Sequence, residues 1–115
     1  MDTVINFESF CSNFDTPELR QEVFETFKTV VPSYLQSFEE AIITKNFLQF
    51  EQTAHRYKSG AFSMGALSIY ETLNMAEQIA KGKNNIEELK SILQKVNILS
   101  AKASAELSEF MKNDK

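Results

Sequence analysis

At 115 residues the chain is expected to hold one ordinary domain rather than two. Folding a chain of this length removes about two-thirds of its unfolded surface from water, so neither a disulfide nor a metal is needed for a core. Its 43% hydrophobic and 24% charged residues are globular composition. Three Gly and two Pro are too few breakers for the turns of an all-β domain. One Cys and one His exclude an internal disulfide and a Cys/His zinc site, and any Ser-His-Asp or Cys-His arrangement would have to use His55.

The net charge of −4 speaks against nonspecific nucleic-acid binding, and it is unevenly spread. Residues 1–44 set eight acids against Arg20 and Lys28, a balance of −6, which leaves +2 for the remainder. Within 45–65, Lys45, Arg56 and Lys58 face Glu51 alone, and the same segment carries the single His. No apolar run reaches the length of a membrane span, and MDTVINFESF lacks a basic signal-peptide head, so a cytoplasmic location is expected.

The apolar residues recur at helical spacing almost throughout. A first short helix is expected over 4–13 from Val4, Phe7, Cys11 and Phe14, with Cys11 a small packed thiol. Asp15 or Thr16 can cap the second helix, where Pro17 at the first helical position loses no needed donor. That helix runs over 17–44 through Leu19, Val23, Phe27, Val30, Tyr34, Phe38 and Ala41, with a kink or brief break expected near Pro32. A third helix over 46–64 buries Phe47, Phe50, Ala54, Tyr57, Ala61 and Met64, and Gly65 closes it. The fourth, over 66–81, carries Leu67, Tyr70, Leu73, Ala76 and Ala80 and should stop at Gly82; the fifth, over 85–112, runs from Ile86 to Phe110. Short loops favour antiparallel neighbours, so the expected fold is all-α: an antiparallel up-down four-helix bundle with a short N-terminal cap helix.

The candidate chemistry lies on the third helix, in Thr53-Ala54-His55-Arg56-Tyr57-Lys58-Ser59-Gly60-Ala61-Phe62. His55 is 100° from the buried stripe, and Leu48, Glu51, Gln52, Lys58, Ser59 and Phe62 share its column at offsets of three, four and seven residues. Apolar Leu48 and Phe62 above and below a histidine make an unusual face for solvent, and Phe62 reads as a partner contact. A neutral imidazole presents one ring nitrogen to an electrophile, and it can accept a phosphoryl group if a partner supplies the rest of the chemistry. The roughly two negative charges gained could be offset by Lys58, with Arg56 nearby. Glu51 and His55 stand at i, i+4, but no second Glu-x-x-His exists to complete a di-iron site, so no metal is expected. Lys81, Lys83 and Lys90 read as solvated.

The run Ala54-His55-Arg56-Tyr57-Lys58-Ser59-Gly60-Ala61, followed by Gly65-Ala66, resembles the signature of histidine-containing phosphotransfer (HPt) domains. That signature is Ala-His-x-aliphatic-Lys-Gly-Ser-x with a further Gly ten residues after the His. The resemblance extends to chain length and to the expected helix order. It implies His55 as phosphoacceptor, Lys58 as the group that neutralises the phosphoryl, and Gly60 and Gly65 as motif positions. Ser59-Gly60 stands where Gly-Ser is usual, and Tyr57 replaces an aliphatic residue. The implied function is to relay a phosphoryl group between receiver-domain aspartates of a response regulator and a hybrid histidine kinase, with Leu48, Glu51, Gln52, Arg56, Ser59 and Phe62 at the docking face. The implied protein is a monomer with no cofactor of its own, Mg²⁺ belonging to the receiver. No nucleotide-binding loop is present, so ATP-dependent self-phosphorylation is not expected. Two other readings are a non-catalytic helical adaptor, in which Leu48 and Phe62 dock a partner, and a detached phosphoacceptor domain of a chemotaxis-type kinase.

Overall fold

A computed structural model describes residues 3–114. It is all-helical, with five helices: α1 (Phe7–Asn13), α2 (Pro17–Thr44), α3 (Phe47–Ser63), α4 (Leu67–Gly82) and α5 (Ile86–Asn113). The caps explain the boundaries. Thr16 Oγ1 accepts the Leu19 amide at 3.1 Å ahead of Pro17, Asn46 Oδ1 accepts that of Gln49 at 3.0 Å, and Asn85 and Glu88 bond reciprocally at the head of α5.

Two local expectations are corrected. The first helix starts at Phe7 rather than residue 4, because the Asn6 side chain caps it by accepting the Ser9 amide. Val4 and Ile5 precede it, buried, with their amides held by the Glu106 carboxylate at 2.8–3.0 Å. There is no break at Pro32: α2 stays helical through it, since the missing proline N–H removes one bond from a ladder that packing holds on both sides. As expected, α4 stops at Gly82; Lys83 follows it in the left-handed region at φ 60°, its amide bonded to Ala80 O.

The junction between α3 and α4 fixes the helix that carries the motif. Gly65 takes φ 79°, its amide bonds Phe62 O at 3.1 Å, and the Ala66 amide bonds Ala61 O at 2.9 Å, a two-bond Schellman ending. Gly65 O in turn accepts the Asn6 amide at 2.8 Å. A Cβ at position 65 would lie 2.6 Å from Asn6 O, so close approach and positive φ both require glycine.

The long helices pack in a closed sequence, α2 on α3 and α5, α3 on α4, and α4 on α5. The most extensive contact joins α3 and α4, both of which bury alanines (Ala54, Ala61, Ala76, Ala80) whose small side chains let the axes approach. Phe10, Phe38, Phe50, Ile69, Leu73, Leu89, Val96 and Leu107 fill the interior. At one end, the Phe7 and Phe110 rings stack at 4.7 Å, joining α1 to α5, with Phe10 edge-on to Phe110 and Cys11 partly buried against the core. Arg20 ties the ends together: it grips Asp114 through two bonds of 2.7 and 3.0 Å and donates a third to Phe14 O at 2.8 Å. Asp114 is accordingly held below the usual carboxylate range by Arg20. Among the described residues, no helix is long and apolar enough to cross a membrane.

Candidate functional site

Register on α3 separates two kinds of side chain only two residues apart. Ala54, Tyr57 and Ala61 face inward, whereas His55 points to solvent with 65% of its side chain exposed. Beneath the imidazole lies a residue that the sequence reading missed. Glu77 of α4 is buried and reaches up with both oxygens: Oε2 is 3.2 Å from His55 Nδ1, and Oε1 is 2.7 Å from Lys58 Nζ. Its place in the apolar register of Leu73, Ala76 and Ala80 was the available signal, since an unpaired carboxylate is costly there.

The charge on Glu77 follows from its neighbours. Burial pushes the carboxyl up, but the close Lys58 ammonium, helped by His55, more than offsets it and holds the group below the usual carboxylate range. Ionised, Glu77 is acceptor-only. The hydrogen at the 3.2 Å contact therefore belongs to His55 Nδ1, which fixes the tautomer and leaves Nε2 with its lone pair. No side chain among the described residues hydrogen-bonds Nε2. Glu77 Oε1 is fully buried and accepts no well-aligned hydrogen bond; the ammonium 2.7 Å away is its compensation.

Lys58, expected to offset phosphoryl charge, is already paired within the protein. Its side chain is 16% exposed. It pairs with Glu77, donates to Asn74 Oδ1 at 3.2 Å and passes 5.9 Å from the Tyr70 ring centre. An ammonium has three N–H bonds, and the Asn74 bond with the Glu77 ion pair does not use them all.

Around this centre the structure gathers some predicted residues and separates others. Glu51, Gln52, His55, Arg56 and Glu77 line one open depression of about 370 Å³. Leu48, Ser59 and Phe62 lie outside its lining; Leu48 and Phe62 are 56% and 59% exposed, and the Phe62 ring sits 5.2 Å from that of Tyr70. Leu67, also exposed, was not singled out as a contact. Ser59 is exposed, its hydroxyl 3.4 Å from His55 O, so this face of α3 stays low one turn beyond the imidazole. Gly60 is exposed with nothing within 4 Å of a Cβ built there, and Gly65 serves the helix junction rather than the site.

The opposite side of α3 is polar as well, but closed. The Tyr57 hydroxyl and Ser100 Oγ are 2.6 Å apart in the core, and burial pushes the Tyr57 phenol up to about 12. Thr53 Oγ1 meets Ser37 Oγ at 2.8 Å and Gln49 O at 2.8 Å, and Gln49 Nε2 donates to Ser37 O at 3.1 Å. These bonds tie α3 to α2 and α5 and hold the register that presents His55 outward.

Among the described residues, no group of three or more His, Cys, Asp or Glu side chains is arranged to hold a metal ion. Comparison of the chain with protein-family models, with curated proteins and with solved structures gave no match, so what this site does must be read from its own side chains.

Proposed function

We propose that this chain is a histidine phosphotransfer protein of a two-component phosphorelay. In this reading α2–α5 form an antiparallel up-down four-helix bundle with α1 as its cap. His55 accepts a phosphoryl group from a receiver-domain aspartate and passes it to another. The single observation that carries the reading is an exposed imidazole whose Nδ1 is taken by a buried carboxylate, leaving Nε2 free.

The step balances without an acid or base from this chain. The Nε2 lone pair attacks phosphorus in the acyl phosphate, the N–P bond forms as the acyl O–P bond breaks, and the partner's aspartate leaves as carboxylate. The Nδ1 proton stays in place, so the ring becomes cationic, and Glu77 faces the nitrogen on which that charge falls. Lys58 has an N–H left for a phosphoryl oxygen. The receiver supplies the divalent cation and the acyl phosphate. Leu48 and Phe62 flank the imidazole as apolar contacts, and Glu51, Gln52, Arg56 and Ser59 form the polar rim. A cytoplasmic, monomeric protein that does not phosphorylate itself from ATP belongs to this reading.

The exposure of Leu48, Phe62 and Leu67 also suits a non-catalytic adaptor. One experiment decides. The protein is incubated with a panel of receiver domains carrying labelled phosphate and, separately, with a histidine-kinase ATP-binding domain. Acid-labile, base-stable label that vanishes in His55→Gln is expected from the receivers. Label only from the kinase domain would replace the relay with a chemotaxis-type phosphoacceptor domain. No label from any donor, with receiver binding unchanged in His55→Gln, would leave the adaptor.

A further inference from the structure

A second feature of α3 lies away from the imidazole of His55. Between α2 and α3, on the side of Tyr57 rather than His55, lies a mainly apolar cavity of about 320 Å³ that opens to solvent. Val23, Phe27, Val30 and Tyr34 of α2, Tyr57 of α3 and Met64 just after α3 form its walls, with the two tyrosine rings stacked 5.2 Å apart. That volume falls in the range of small-ligand sites, about 300–1,000 Å³, whose walls are likewise mainly apolar and aromatic.

Two observations indicate what enters it. The first is Gly60, which lines the cavity within the body of α3. A glycine inside a helix costs about 1 kcal/mol relative to alanine. Nothing in this chain requires the loss, because a Cβ at position 60 would meet no atom within 4 Å. The bare backbone gives room to something from outside the chain. The second is charge: Glu22 is the one charged residue lining the cavity among the described residues, and it is exposed. Among the described residues neither it nor Glu18, one turn before it on α2, takes part in an ion pair, whereas Glu25 nearby is bonded by Lys28 and Gln21. Aromatic faces and a carboxylate together favour a cation.

We propose that this cavity binds an amphiphilic organic cation. Its ammonium group meets Glu22 at the mouth, and its aryl or alkyl body lies over Gly60 against Val30, Tyr34 and Tyr57. The site is separate from His55, so it stands or falls independently of the relay.

The test uses the whole protein, isotope-labelled, and three probes of one shape: phenylbutylamine, phenylbutanol and phenylbutyrate. Titration followed by NMR should move the Tyr34, Tyr57 and Gly60 signals, with the amine binding about tenfold tighter than the carboxylate. Glu22→Gln should bring the amine's affinity to that of the alcohol. Gly60→Leu, which improves helix propensity and whose Cβ meets no atom within 4 Å, should fold at least as stably as the parent and bind the amine about tenfold or more weakly. Equal affinity for amine and carboxylate, undiminished binding in Gly60→Leu, or no shift at millimolar probe would each overturn the proposal.

Discussion

Helix α3 carries two polar networks on opposite sides, and they are built to opposite rules. On the inner side, Tyr57–Ser100 and Thr53–Ser37–Gln49 consist of neutral groups whose hydrogen bonds are closed within the protein. On the outer side, His55, Glu77 and Lys58 form a charged set with bonding capacity left over: a free Nε2 and a lysine ammonium whose N–H bonds are not all used. A closed neutral network stabilises helix register and has nothing to offer a ligand. An open charged one contributes less to stability, because desolvation offsets much of its Coulombic gain, yet it keeps groups that an incoming ligand can bond. The closed network holds α3 still while the open one is presented on it.

This contrast predicts how each network breaks. His55→Gln should abolish phosphoryl acceptance altogether and change unfolding free energy by no more than about 0.5 kcal/mol, because the imidazole is exposed. Labelled-phosphate transfer and urea denaturation measure the two.

Glu77→Gln should affect both, since its carboxylate anchors the open network. Transfer should slow by about 10–100-fold as the ring loses its tautomer and its counter-charge, and stability should fall by about 1–3 kcal/mol as Lys58 loses its partner. The pH dependence separates this from generic damage. Glu77 has a folded-state pKa below its unfolded value, so its stabilising contribution is complete above about pH 4.3 and is lost as pH falls through the lower, folded value. Acid titration of unfolding should show that loss in the parent and lack it in Glu77→Gln.

Tyr57→Phe should do the reverse of His55→Gln. It leaves the buried Ser100 hydroxyl without its 2.6 Å partner, lowering stability by about 1–2 kcal/mol while transfer per folded molecule is unchanged. Lys58→Ala should be milder than Glu77→Gln on both counts, slowing transfer several-fold and lowering stability by about 1 kcal/mol. It should also move the acid-side loss to higher pH, because Glu77 then keeps its burial without its main counter-charge. Stopped-flow transfer and the same acid titration are the measurements.

Local patterning made the helices readable. Pro17, Asn46, Asn85 and the apolar spacing of α2–α5 carry their own boundary chemistry, and Gly65 marks the α3–α4 junction. Where a boundary depends partly on distant chain it was not readable: Asn6 caps α1, but the Val4 and Ile5 amides ahead of it are held by Glu106, about a hundred residues on. The site divides in the same way. His55, Lys58 and the flanking Leu48 and Phe62 share one helix, so 3.6-residue periodicity was enough to group them. Glu77 comes from α4, and only the α3–α4 packing brings its carboxylate under the ring and pairs it with Lys58. Asn74 was hidden for the same reason.

The central claim is that Nε2 of His55 is the accepting atom because Glu77 occupies Nδ1. After transfer from a labelled receiver phosphate, long-range nitrogen–proton and phosphorus NMR on the protein locates both the N–P bond and the ring proton. Phosphorus on Nε2 with the proton retained on Nδ1 is the predicted result. Phosphorus on Nδ1, or no phosphohistidine after exposure to the full receiver panel, would contradict it.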